Sequence, residues 1–162
     1  MPEQKQILLL ELDLLVSVNK VEKAMYLANH ALKALPNDID FLYMRSVMAS
    51  KLNQLSAAED DLNKILSLNP NHANALNVLG YNLSSQKERH EEALTYLERA
   101  ISISPDNPTI MDSMGLLLFR MGQLQDSLIW LEKAYTLKPE SNIALHLSEV
   151  LYALGKHKKA LD

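Results

Sequence analysis

The stretch from Ser84 to Ala93, SSQKERHEEA, is the most chemically loaded segment of the chain. Within ten residues it contains three glutamates, a histidine, a lysine and an arginine. Carboxylates beside an imidazole are the side chains that bind metal ions or transfer protons. The segment is therefore the first candidate for a catalytic or metal site.

A turn between two helices explains the same composition. Mixed charges are typical of the solvated loops that connect packed helices. Glu91 and Glu92 would open a helix at the end where the helix dipole favours negative charge. We expect Ser84 and Ser85 to end one helix and residues 86–90 to form the turn, so that only the two serines would contribute to a binding surface.

Metal-binding patterns are absent elsewhere in the sequence. The five histidines form no HExxH or His-x3-His pair and are scattered along the chain, at His30, His72, His90, His146 and His157. The chain has no cysteine, which removes thiolate ligands, thiolate catalysis and disulfides. We expect the histidines to be surface or loop residues and no metal to be bound.

Nucleophilic and phosphate-binding motifs are also missing. The chain has no Gly-x-Ser-x-Gly elbow, and Ser84, Ser113 and Ser127 fit helix packing or a helix surface. No two glycines lie closer together than Gly115 and Gly122, which excludes a glycine-rich phosphate loop. The sequence predicts neither an enzyme nor a cofactor.

Charge disfavours nucleic acid as a partner. The 162 residues carry a net charge of −4 with a pI near 5.7. Their most basic run is Lys156-His157-Lys158-Lys159, so an extended surface for phosphate neutralisation is missing. A binding protein with protein ligands is the better expectation.

Membrane insertion of this segment is not expected either. The N-terminal run QILLLELDLLVSV is interrupted by Glu11 and Asp13, and no apolar run approaches the roughly 18 residues of a membrane span. It also lacks the basic start and the cleavage site of a signal peptide. Absence of cysteine suits cytoplasm and periplasm equally, so the compartment stays open.

Small residues and prolines recur with one period. The prolines Pro36, Pro70, Pro105 and Pro139 are spaced by 34, 35 and 34 residues. Two further series keep this spacing to within one residue, and they consist of Ala24, Ala58, Ala93, Ser127 and Ala160, and of Ala31, Ile65, Ala100 and Ala134. Such a period is typical of stacked helical repeats.

The apolar residues within one period have helical spacing. Leu76, Leu79 and Leu83 lie at i, i+3 and i+7, and a second apolar series follows after a polar turn. The pattern resembles the tetratricopeptide repeat, which implies two antiparallel helices per repeat. The resemblance implies an all-α, right-handed superhelical solenoid of helix hairpins in a single domain, with repeats at 5–38, 39–72, 73–107, 108–140 and a partial one at 141–162.

The glycines agree with this register. Gly80 and Gly115 occupy position 8, where a small residue lets the two helices approach closely, and Gly122 and Gly155 occupy position 15, in the turn. Position 15 of the first two repeats holds Asn19 and Asn53. Asparagine is the residue that best tolerates a left-handed backbone after glycine.

The fifth repeat stops shortly after its second helix should begin. We therefore expect the chain to be a fragment of a longer protein. The last first-type helix would then expose an apolar face that includes Leu147, Leu151 and Leu154. Such a face would favour self-association.

In the tetratricopeptide family the first helix of each repeat lines a concave groove. Carried onto this chain, the groove residues that we select are Tyr43, Lys51, Asn74, Asn77, Tyr81, Asp112, Phe119, Arg120 and Tyr152. Amides can hydrogen-bond the main chain of an extended peptide in both directions, and tyrosine offers large contact area at low entropic cost. We expect Asn77, Tyr81, Asp112 and Arg120 to form its core, although Tyr81 and Phe119 would equally fill the wall between helices.

Two comparisons within the family narrow the function. The carboxylate clamp of chaperone-binding members is missing in every register, since the paired positions hold Leu9 and Asp13, Tyr43 and Val47, or Asn77 and Tyr81. Residues 73–160, with ALNVLGYNL, PDNPTIMDSMGLLLFRMG and IALHLSEVLYALGK, resemble proteobacterial tetratricopeptide proteins, several of them envelope lipoproteins that act as adaptors. This resemblance implies an adaptor or assembly scaffold. The alternative is an oligomerisation module that associates through its terminal repeats.

Overall fold

The computed structural model describes residues 2–156, and within them the secondary structure is helical, without a strand. Nine α-helices follow one another in this range. They are α1 (Pro2–Ser17), α2 (Val21–Ala34), α3 (Ile39–Lys51), α4 (Leu55–Leu68), α5 (Ala73–Leu83), α6 (His90–Ile103), α7 (Pro108–Arg120), α8 (Leu124–Leu137) and α9 (Ser141–Ala153). A short 3₁₀ helix, Lys87–Arg89, lies between α5 and α6. Residues 157–162 lie outside the described range, and they include His157, Ala160 and the end of the fifth repeat.

The helices belong to two compact units that divide between Ala75 and Leu76. In the first unit α3 packs on α4 and α2, and α1 packs on α2. In the second unit α7 packs on α8 and α6, and α8 packs on α9. Consecutive helices joined by short connections form hairpins, as the repeat pattern predicts. The single-domain organisation stays a prediction.

In the described part of every repeat except the third, the turn between the two helices contains a left-handed residue. Asn19 and Asn53 have φ of 56° and 58°, and Gly122 and Gly155 have φ of 81° and 72°. All four stand at the predicted position 15, and this prediction is confirmed. The third repeat carries its extra residue here instead, and the 3₁₀ helix accommodates it. Helix α5 ends at Leu83, so Ser84 and Ser85 follow the helix rather than end it.

Close packing within a hairpin depends on the position-8 glycines. A Cβ on Gly80 would lie 2.6 Å from Leu97 Cγ, and one on Gly115 would lie 2.5 Å from Leu131 Cγ. Both distances are below van der Waals contact, so a larger residue at either position would force the facing leucine side chain or the helices to shift. The predicted close approach is confirmed at both sites.

The recurring small residues form the core of the hairpins. Ala24, Ala58 and Ala93 are fully buried, as are Ala100 and Ala134. Ser127 is also buried and donates from Oγ to the Gly115 carbonyl oxygen at 2.6 Å. Its hydroxyl is therefore satisfied within the hairpin.

Polar caps start the first helices of three repeats. Asp38 accepts from the backbone N–H groups of residues 40 and 41, and Asn107 accepts from those of 109 and 110. His72 Nδ1 accepts from the Ala75 N–H at 3.1 Å. Each cap lies two residues after a recurring proline, so proline ends one repeat and the cap begins the next.

The prediction that Leu147, Leu151 and Leu154 form an exposed apolar face on α9 is wrong. Leu151 is only 5% exposed, and Leu147 and Leu154 pack against a buried cluster that α9 shares with α8. These three side chains lie on the face that α9 turns toward its neighbour. The large apolar side chains exposed on α9 are instead Leu145 and Tyr152, at 56% and 67%.

Candidate functional site

The predicted core residues Asn77 and Tyr81 lie one turn apart on α5. Asn77 is 8% exposed, and its Oδ1 atom has no hydrogen-bond partner among residues 2–156. Tyr81 is 43% exposed. This stripe therefore combines a buried, unpaired acceptor with an accessible aromatic ring.

Ser84 continues the stripe and connects it to α7. Its Oγ donates to the Tyr81 carbonyl oxygen at 2.7 Å and accepts from Arg120 Nη1. Its carbonyl oxygen lies 3.0 Å from His90 Nε2, and because a carbonyl can only accept, this nitrogen must carry a proton. The serine thus fixes Arg120 beside the end of α5.

Asp112, one of the predicted groove residues, is paired with His146. Asp112 Oδ1 lies 2.8 Å from His146 Nδ1, and the two side chains are 7% and 17% exposed. The pair joins α7 to α9 in adjacent repeats. The expectation that the histidines are surface or loop residues is wrong for His146, which is mostly buried on a helix. Its separation from Asp112 by one repeat period was the feature of the sequence that could have indicated the contact.

The other predicted groove residues of the second unit differ in environment. Arg120 is exposed apart from its contact with Ser84, and Tyr152 is 67% exposed. Phe119 is partly buried and packs against the cluster formed by α8 and α9. Phe119 therefore contributes to the wall between helices.

In the first unit the predicted residues are less closely grouped. Tyr43 is partly buried, its ring centre is 5.7 Å from that of His72, and burial raises the pKa of its hydroxyl. Lys51 and Asn74 are exposed.

A charged network in the first unit was not predicted. Arg45 donates from Nε and Nη2 to Asp61 at 2.7 and 2.6 Å, and from Nη1 to Asn29 at 2.9 Å. The hydrogen bonds to Asp61 raise the pKa of the Arg45 guanidinium. This network links three helices. The sequence could have revealed it, because Arg45 and Asp61 stand at positions where the next repeat has Leu79 and Tyr96.

The charged segment around His90 is occupied by local pairs. Arg89 forms two hydrogen bonds with Glu92, at 2.8 and 2.9 Å. Glu88 and Glu91 are exposed. Within residues 2–156 the structure brings no three histidine, aspartate or glutamate side chains together as a metal site. In the same range, each helix is too short or too polar to cross a membrane.

Known proteins with similar sequence and fold identify the repeat. The tetratricopeptide repeat family model matches residues 39–72, 73–107 and 109–141. A TPR repeat-containing protein of Pseudomonas aeruginosa is 38% identical over 144 residues, which cover 89% of this chain. The chain spans about a quarter of that relative, 24% of its length.

Solved structures of low sequence identity share the fold. A thermophilic TPR protein of Thermus thermophilus matches 96% of this chain and 86% of its own, with a TM-score of 0.88 at 24% identity. PilF of Pseudomonas aeruginosa matches 98% of this chain and 72% of its own, with a TM-score of 0.79 at 22% identity. The predicted all-α solenoid of helix hairpins is confirmed, and the chain belongs to the tetratricopeptide repeat family.

Proposed function

We propose that the chain binds a partner protein as an extended peptide, along a face whose core is Asn77, Tyr81, Asp112 and Arg120. Tetratricopeptide repeats generally support protein–protein interaction and are generally non-catalytic. Stacked repeats offer extended binding surfaces on their helices. An adaptor or assembly role follows from this proposal.

The unpaired Oδ1 of Asn77 is the observation that carries the proposal. A buried acceptor without a partner costs about 1–3 kcal/mol in the free protein. Rotation of the Asn77 side chain toward the surface would let a backbone N–H of a peptide supply the missing donor. Binding would then recover a cost that the free protein bears.

Tyr81 and Arg120 supply contacts of different kinds on the same face. The accessible ring of Tyr81 adds contact area with few rotatable bonds to immobilise. Arg120 has five N–H donors, of which the structure pairs one with Ser84. The remaining donors suit the carbonyl oxygens or carboxylates of a peptide.

The Asp112–His146 pair would hold the other end of this face. Because Asp112 accepts from His146, its second carboxylate oxygen is the group left for a ligand N–H. The pair also fixes α7 relative to α9. A rigid face loses less entropy when an extended ligand binds.

The second candidate is self-association through α9. Leu145 and Tyr152 are the large apolar side chains that α9 exposes. Exposed apolar patches of this kind mark protein contacts. A dimer in light scattering that Leu145→Ser converts to a monomer would favour this function, whereas a concentration-independent monomer favours the peptide face.

A peptide library tests the main proposal. Random linear peptides displayed on phage are selected on the immobilised protein, and calorimetry then measures a selected peptide. The Asn77→Ala/Tyr81→Ala variant should lose binding while its far-UV circular dichroism stays helical. The matched control Asn63→Ala/Tyr26→Ala changes exposed residues on other helices and should bind normally. Equal affinity for both double variants would contradict the proposal.

A further inference from the structure

A second surface of the same unit lies over α7, between α6 and α8. Two cavities there have volumes of about 700 and 530 Å³. They share Ile101, Ile129, Trp130 and Lys133 and therefore form one continuous groove. We call it the Trp130 groove, and it shares no residue with the face proposed for peptides.

The groove is apolar along its floor and walls. Met111 and Met114 of α7 contribute to the floor, and methionine adapts its shape to a variable ligand. Ile129 and Leu137 of α8 are 55% and 54% exposed. Trp130 is partly buried and packs against the cluster that contains Met111. Tryptophan is enriched among the residues that dominate binding energy.

The rim of the groove is acidic. Four carboxylates line it, and they belong to Glu98, Asp106, Asp126 and Glu132. None of the four forms a salt bridge within residues 2–156. Lys133 is the one cation among the lining residues, and its Nζ lies 5.5 Å from the centre of the Trp130 ring. The lining therefore carries an excess of three negative charges, four carboxylates less one lysine.

We propose that the Trp130 groove binds a basic amphipathic α-helix of a partner protein. Its walls are helices, whose backbone groups are already paired, and its lining has no asparagine and one glutamine, Gln123. The backbone N–H and C=O groups of an extended peptide would find no hydrogen-bond partners there, whereas a helix pairs its own backbone groups internally. The groove follows α8 from Gln123 to Leu137, about 21 Å at 1.5 Å per residue.

Such a ligand would place apolar side chains at i, i+3, i+4 and i+7 in the groove. Lysine or arginine on its flanks would meet the rim carboxylates. The charge match steers association and selects against acidic partners. The groove thus fits a class of ligand that differs from the extended peptide of the proposed function.

Trp130 provides a direct signal, because it is the only tryptophan of the chain. The probe is a synthetic amphipathic peptide of leucine and lysine, about five helical turns long. Titration with this peptide should change the emission of Trp130 saturably. The same peptide with glutamate in place of lysine should leave the emission unchanged.

Matched variants on α8 test the position of the site. Ile129→Ser should lower the affinity for the leucine–lysine peptide at least tenfold, which corresponds to about 1.4 kcal/mol of binding free energy. Tyr135→Ser changes a side chain of the same helix that is 40% exposed and lies outside the groove lining, and it should bind normally. Asp126→Lys/Glu132→Lys should reverse the preference between the two peptides. Circular dichroism checks that each variant is folded.

The alternative outcomes overturn the inference. An absence of saturable change, or equal weakening by Ile129→Ser and Tyr135→Ser, would show that the groove is not the site. A response to vesicles of acidic lipid but not to the peptide would assign the surface to membranes. The Asn77→Ala/Tyr81→Ala variant should bind the leucine–lysine peptide normally, so failure of the two proposals can be told apart.

Discussion

Asp112 and His146, one repeat period apart, meet through Oδ1 and Nδ1 at 2.8 Å with little exposure to water. Residues separated by one period lie side by side in adjacent repeats of a solenoid, so they can form contacts that a single hairpin does not contain. This pair connects the first helices of two repeats. It therefore stabilises the packing of one repeat against the next.

Removing the histidine should expose the cost of the buried carboxylate. We expect His146→Ala to lower the free energy of unfolding by about 1–3 kcal/mol, because the buried Asp112 carboxylate loses its hydrogen-bond partner. Urea unfolding measures the change. His30→Ala, an exposed control on α2, should stay within about 0.5 kcal/mol.

A double-mutant cycle isolates the interaction itself. His146→Ala/Asp112→Ala should cost less than the sum of the two single variants, because each single change leaves one unpaired group. Strict additivity would mean that the contact contributes nothing to stability.

Asn77→Leu should stabilise the free protein while weakening peptide binding. The change removes a buried acceptor that has no partner in the described part of the chain, and we expect a gain of about 1 kcal/mol in unfolding free energy. Thermal unfolding and calorimetry with the selected peptide measure the two effects.

Asn82→Leu is the matched change on the same helix. Asn82 is 6% exposed and takes part in interactions, so this substitution should destabilise the protein. A lower melting temperature for Asn77→Leu would contradict the role assigned to its free oxygen.

Enlarging the buried alanines should overpack the hairpins. Ala100 and Ala134 are fully buried, and replacing either by leucine should cost about 1–3 kcal/mol. Chemical unfolding measures the loss. Ala57→Leu on the exposed side of α4 should be nearly neutral, and an unchanged stability of the buried variants would show that the repeat register is wrong.

Alkaline pH should destabilise the protein partly through Tyr43. Burial raises the pKa of this hydroxyl above its ordinary value of 10.0, so the unfolded chain releases the proton first. Its contribution is fully present below pH 10.0 and is lost as pH rises through the folded pKa.

Tyr43→Phe should flatten this dependence. Unfolding free energies of both proteins are compared below and above pH 10.0. Hydrogen bonds to Asp38 and Asp40 raise the pKa of Lys5. Lys5 contributes equally to the pH dependence of both proteins, so its effect cancels when the two profiles are subtracted. Parallel pH profiles would contradict the assignment to Tyr43.

The sequence by itself determined the repeat and its register. Proline, small-residue and glycine spacings predicted helix hairpins, and the left-handed Asn19 and Asn53 followed from their place in the turn. These features are local, because backbone sterics and the close approach of two consecutive helices decide them within one repeat. A period in the sequence is enough to reveal such constraints.

Only the tertiary structure decided which side chains meet across repeats. The rotation of each helix about its axis sets its contacts, and it buried Leu151 against α8 where the sequence predicted exposure. The same rotation paired Asp112 with His146 and left Asn77 Oδ1 without a hydrogen-bond partner among residues 2–156. Periodicity identifies the face of a helix only to within one side chain, while hydrogen bonds and pockets depend on distances smaller than that.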